Sequence, residues 1–168
     1  MRVVNGSRKI LDLYRDGCLI FAGLADGYFL AWGTDDNLKL NPLAVIELVL
    51  NFTRFYSLVL ADMRERPAEV VFHIELRNMH LADAKTFLSP YGVNSIDYKF
   101  SRHGGKEAPT DTWSKQLVVR TDQYDAELLA YEIVRELYVW FGHEEDVIPY
   151  TTAEGGTRKI DVAQIKAR

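Results

Sequence analysis

Apolar and polar residues alternate most cleanly between Glu69 and Arg77. Val70, Phe72, Ile74 and Leu76 fall on one side, and Val71, His73, Glu75 and Arg77 on the other. A period of two is that of a half-buried strand. Over 95–100 Ile96, Tyr98 and Phe100 alternate with Asp97 and Lys99, and Trp113 to Thr121 reads as a further strand. From Leu43 to about Arg64 the pattern changes: most positions are apolar, and Glu47, Asn51, Arg54 and Asp62 recur near helical spacing. Asn41 and Pro42 mark the start of that helix, Asn as the cap and Pro at the first position, where no N–H is needed. It runs to about Arg64, Arg66-Pro67 closes the segment, and its wide apolar face makes it the expected centre of the core. A second helix is predicted from about Ala126 to Phe141, with Asp125 as cap and Gly142 as stop. Ala126, Ala130, Ile133, Leu137 and Phe141 would line its inner side.

The remaining segments are less regular. Residues 8–16 fit either a short helix or a strand entering a hairpin. Cys18 to Leu24 and Tyr28 to Trp32 flank Asp26-Gly27, a favoured two-residue turn, and predict a hairpin of their own. Residues 33–40 and 101–112 read as loops, and 78–92 as irregular or holding one short helical turn. From His143 the chain turns polar. The expected fold is α+β: a mainly antiparallel sheet of about five strands with two main helices packed on it. Residues 1–150 would form one domain, and 151–168 a polar tail or docking arm.

Composition narrows the class. A chain of 168 residues, 48% hydrophobic and 12% aromatic, is long enough to bury a core without disulfides or metal. Its net charge of −4 gives no global attraction to nucleic acid or anionic membrane. Cys18 is the sole cysteine, which excludes an internal disulfide and a cysteine-based zinc site and favours a reducing, cytoplasmic setting. Within Cys18-Leu19-Ile20-Phe21 it is expected to be a buried, inert thiol. The first nine residues lack the apolar core of a signal peptide. The run from Leu43 to Ala61 is long enough to suggest a membrane span, but Glu47, Asn51 and Arg54 share one helical face, a stripe that a span carries only where it lines a cavity. A water-soluble helix is the reading, with no membrane partner.

No motif announces catalysis, a cofactor or a metal. His73, Glu75 and Arg77 form a row on one strand face that suits a ligand or a reaction, though cross-strand pairing, for instance with Asp97 or Lys99, explains it as well. Arg102-His103-Gly104-Gly105-Lys106 and Gly155-Gly156-Thr157-Arg158-Lys159 combine glycine N–H groups with cations. Arg102, Lys106, Arg158 and Lys159 are therefore the candidates for an anion or nucleic acid. Neither stretch has phosphate-loop spacing, and a flexible hairpin tip is the plainer reading of both. His143-Glu144-Glu145-Asp146 lacks a second histidine four residues on, because Val147 stands there. Its acidic turn just beyond a helix C-terminus suggests a basic partner. His80 reads as structural. The aromatic runs carry few cations, so core packing and a protein interface explain them better than base stacking.

Leu13-Tyr14-Arg15-Asp16-Gly17, the Pro42 helix with Glu47 and Tyr56, and the strand ending Glu75-Leu76-Arg77-Asn78-Met79 together resemble the region that follows the AlbA-like domain in bacterial Schlafen-type DNA-binding proteins. The similarity covers residues 10–80. No functional residue carries over, because the module that contacts nucleic acid in that family has no counterpart here. The resemblance implies a non-enzymatic accessory domain for regulation or assembly, separated from its effector. Its expected partner is another protein domain or a second copy; nucleic acid is a weaker candidate. The alternative is a small-ligand binder or enzyme using the His73, Glu75 and Arg77 face.

Overall fold

The computed structural model describes residues 1–5, 9–25, 30, 39–81, 84–90 and 105–166. The fold is α+β, its strands mainly antiparallel and distributed over several small sheets. Helix α1 (Pro42–Asp62) begins where the sequence places it: the Asn41 side-chain oxygen accepts from the Leu43 and Ala44 N–H groups at 2.9 and 3.2 Å. Helix α2 (Ala126–Trp140) is capped the same way by Asp125, which accepts from Leu128 N–H at 2.9 Å. Its end is a Schellman motif. Gly142 N–H donates to Val139 C=O and His143 N–H to Tyr138 C=O, at 2.9 and 3.0 Å.

The two helices pack on each other and are stitched at one crossing. Thr53, fully buried on α1, places its hydroxyl 2.9 Å from the Ala126 carbonyl oxygen. Tyr124 donates its hydroxyl to Thr53 C=O at 2.7 Å, and burial pushes that phenol well above its usual pKa. Arg54 pairs with Glu127 alongside. Over this crossing lies a two-stranded ribbon, β5 (Glu69–Leu76) with β10 (Trp113–Arg120), in the register Leu76↔Trp113 to Glu69↔Arg120. Val70 and Phe72 are buried on its inner side against Leu60, Leu129 and Ile133, and the Phe72 ring meets Tyr56 edge-on at 5.4 Å. Cross-strand pairing of β5, for instance with Asp97 or Lys99, is the plain reading of its polar row. Its partner among the described residues is β10, and the predicted strand over 95–100 lies outside them.

A larger core joins Leu43, Ile46 and Leu50 of α1 to Val134, Leu137 and Tyr138 of α2. α2 buries a wider face than the single stripe expected, with Leu129, Tyr131 and Val134 added. The reason is that it is covered twice, by α1 and by the C-terminal segment. Residues 151–168 were expected to be a polar tail or docking arm. Instead, β11 (Thr151–Glu154) and β12 (Thr157–Ile160) form an antiparallel hairpin that packs on α2, followed by the short helix α3 (Val162–Lys166). Gly155 and Gly156 hold φ of 59° and 85°, the left-handed pair that a tight two-residue turn requires. Ile160 and Ile165, 1% and 5% exposed, anchor the segment in the core.

At the other end, β1 (Arg2–Asn5), β2 (Lys9–Leu13) and β3 (Leu19–Gly23) form a three-stranded antiparallel sheet in that order. Residues 9–13 are thus the strand alternative. Strand β3 pairs with β2 around the turn 14–18, whereas the expected turn at Asp26-Gly27 and most of Tyr28 to Trp32 lie outside the described residues. Cys18 is exposed, not buried, because it closes that turn, its N–H bonded to the Asp16 carboxylate at 3.0 Å. Short strands build the rest: β4 (Lys39–Leu40), β8 (Phe87–Leu88) and β9 (Lys106–Glu107) make one sheet, with β4 parallel to β8, while β6 (His80–Leu81) pairs with β7 (Ala84–Lys85). Of the stretch 78–92, read as irregular or holding one short helical turn, residues 82–83 and 91–92 lie outside the described residues.

Candidate functional site

The row singled out in the sequence lies on the outer face of the β5–β10 ribbon. His73, Glu75 and Arg77 are all exposed, turned away from the helices. His73 stands opposite Gln116 and Glu75 opposite Ser114, with Val71 and Val118 (62% and 64% exposed) directly paired beside them. Arg77 donates to Glu75 at 2.9 Å, and this hydrogen bond holds the Glu75 carboxyl below its usual range. Glu75 and Arg77 therefore satisfy each other at the end of one strand.

The cationic candidates are engaged or dispersed. Arg158 points its guanidinium at the Glu145 and Asp146 carbonyl oxygens, at 3.4 and 3.3 Å. Lys159 pairs with Glu154 at 3.0 Å across the terminal hairpin, which raises its pKa. Lys106 is exposed on β9 and Arg102 lies outside the described residues. The acidic turn after α2 does meet basic residues, in its own chain: Arg158 through the backbone, and Arg135, whose Nε lies 3.9 Å from Glu145.

His143 is separated from its acidic neighbours. The Schellman turn folds its ring inward, 5.5 Å from the Tyr138 ring, and Nε2 reaches the Leu88 carbonyl oxygen at 2.9 Å. Burial pushes its pKa down; the Leu88 carbonyl opposes that shift, and the Lys106 charge adds to it. Its role is a latch between the end of α2 and β8. His80 is likewise bonded to backbone, its Nε2 3.0 Å from Ala108 O. No group of three or more potential metal ligands occurs among the described residues.

Two surfaces remain, and both were only half visible in the sequence. The first is the polar stripe of α1. Helix α1 is long and apolar enough to cross a membrane by length and composition alone. Glu47, Asn51 and Arg54, the residues that argued against a span, line a cavity of about 580 Å³ that is open to solvent and has α3 as its other side. Leu50, Val162 and Ile165 supply its apolar wall and Lys166 its edge. Arg54 is held by Glu127, with Nε 3.1 Å from the carboxylate. The stripe was legible at spacing i, i+4, i+7; what it faces was not, because α3 was read as tail.

The second surface is the N-terminal sheet. No described side chain from Lys9 to Leu24 is buried. Val3, Leu11 and Phe21 align across the strands on one face, next to Leu13 and Leu19; Arg2, Asp12 and Ile20 align on the other, with Arg2 and Asp12 3.5 Å apart. Met1, Val3, Tyr14, Ile20 and Leu24 are each 47–68% exposed. The sheet approaches the body at its turn, where Gly17 lies so close to the Met63 side chain that a Cβ there would sit 2.0 Å from Met63 Cε. No protein-family model matches the chain, and comparison with curated proteins and with solved structures gives no match.

Proposed function

We propose that this chain is a non-enzymatic accessory domain that acts by binding protein, either a partner domain or a second copy, within a bacterial DNA-associated regulator. The observation that carries the reading is the N-terminal sheet. It is rich in apolar side chains and buries none of the described ones from Lys9 to Leu24, and the buried clusters among the described residues contain none of its side chains. An apolar surface rimmed by charged residues is a feature of interaction sites. The resemblance of residues 10–80 to the segment beside AlbA-like modules supplies the regulatory setting, and the same sheet falls within that stretch. Burying Ile20 and its exposed neighbour Leu24 would contribute roughly 1.5–3 kcal/mol per large side chain, enough for a few such contacts to dominate an interface.

Multi-angle light scattering over a concentration series, alone and mixed with AlbA-like proteins from the same genome, tests the reading. Self-association or a defined complex, weakened by Ile20→Lys, is expected. A chain that stays monomeric at every concentration and binds none of them overturns it.

A further inference from the structure

We propose that the cavity between α1 and α3 is a binding site for a small organic carboxylate with an aliphatic body. Its volume of about 580 Å³ falls within the roughly 300–1,000 Å³ of small-molecule sites. The ligand class follows from which lining groups are already used. Arg54 is neutralised by Glu127, and Glu47 has an interaction of its own. Asn51 and Lys166 are different: among the described residues neither side chain has a hydrogen-bond or ion-pair partner. One offers amide N–H groups and the other a full positive charge. Beside them stand Leu50 and Ile165, 3% and 5% exposed, with Val162.

Uncommitted donors next to an apolar wall match a molecule with an anionic head and a hydrocarbon body. The head would meet Lys166 and the Asn51 amide, and the body would lie on Leu50, Val162 and Ile165. A purely apolar ligand would leave the donors unused, and an organic cation would meet Lys166 at a cost. The site is built from helix faces whose spacing is fixed: positions 47, 50, 51 and 54 on α1 against 162, 165 and 166 on α3, one stripe facing another. Because α3 is held by Ile165 and by Asp161, which accepts from Ala163 and Gln164 N–H at 2.9 and 3.2 Å, filling the cavity would bear directly on the seating of the C-terminal segment. This site is distinct from the N-terminal sheet, so either proposal can fail alone.

Carboxylates of this form exist as free acids and as peptide C-termini. Titrating the full chain with hexanoate, N-acetyl-leucine and hexanamide, while following the Leu50 and Ile165 methyl resonances, separates these sources. Saturable shifts with the acids and none with hexanamide are expected, and Lys166→Gln should weaken the acids about fivefold with folding unchanged. Asn51→Leu should weaken them by a smaller factor. Binding of N-acetyl-leucine without hexanoate supports the site with a peptide end as its source, and hexanoate alone supports it with a free acid. No saturable shift with either acid, equal binding of hexanamide, or unchanged affinity in Lys166→Gln would overturn it.

Discussion

The two ends of this chain reverse what their compositions suggest. Residues 151–166 are mostly polar, yet they fold into a hairpin and a helical turn fastened to the core by Ile160 and Ile165. Residues 1–24 hold far more apolar side chains, yet the described ones from Lys9 onward are all half-buried or exposed. The difference is one of placement. In the C-terminal hairpin the Gly155-Gly156 turn sets a register that brings one isoleucine onto α2. In the N-terminal sheet apolar residues occupy both faces, so no register could turn all of them toward one body. A few well-placed side chains anchor a polar segment, whereas many side chains divided between two faces leave surface for another molecule.

The largest expected effect separates the two ends. Ile160→Ala should lose about 2–5 kcal/mol of stability by denaturant melts, the usual range for emptying a core aliphatic site. Ile20→Ala should stay within roughly 0.5 kcal/mol. Equal losses would mean that the sheet is part of the core after all. Next in size is His143→Ala, which should cost about 1–3 kcal/mol by leaving the Leu88 carbonyl buried without its donor.

His143 also carries a pH signature. Its folded pKa lies below the ordinary 6.5, so the folded chain disfavours the charged ring. Its contribution is complete above pH 6.5 and is lost as the pH falls through the depressed folded value. Wild type minus His143→Ala should therefore shrink on acidification; a difference that is flat from pH 8 to 4 would contradict the latch. Asn41→Ala should cost about 1 kcal/mol through the lost helix cap, measured by thermal melts, and change neither end's behaviour.

Much of the helical frame was readable from the sequence, because caps and periodicity are local. Asn41, Asp125 and Gly142 each act within a few residues, and the alternation of β5 and β10 shows in their own side chains. Strand pairing was not readable. Glu75 finds Ser114 nearly forty residues away, a choice made by the helices beneath the ribbon. The terminal hairpin had a signal that was available and discounted. Gly155-Gly156 between Thr151–Glu154 and Thr157–Ile160 is a two-residue turn between short strands, and reading residues 151–168 as a polar tail hid α3 and with it the cavity. The stripe Glu47, Asn51 and Arg54 was seen for what it excluded. What it lines depends on residues more than a hundred positions later.

The N-terminal sheet is proposed as a contact surface for protein. Its most direct test compares wild type with Ile20→Lys by light scattering across concentration, each alone and with AlbA-like proteins, after confirming equal melting temperatures. Association by the wild type that the variant reduces without loss of stability is expected. Monomeric behaviour of the wild type throughout, or association that Ile20→Lys leaves untouched, would contradict it.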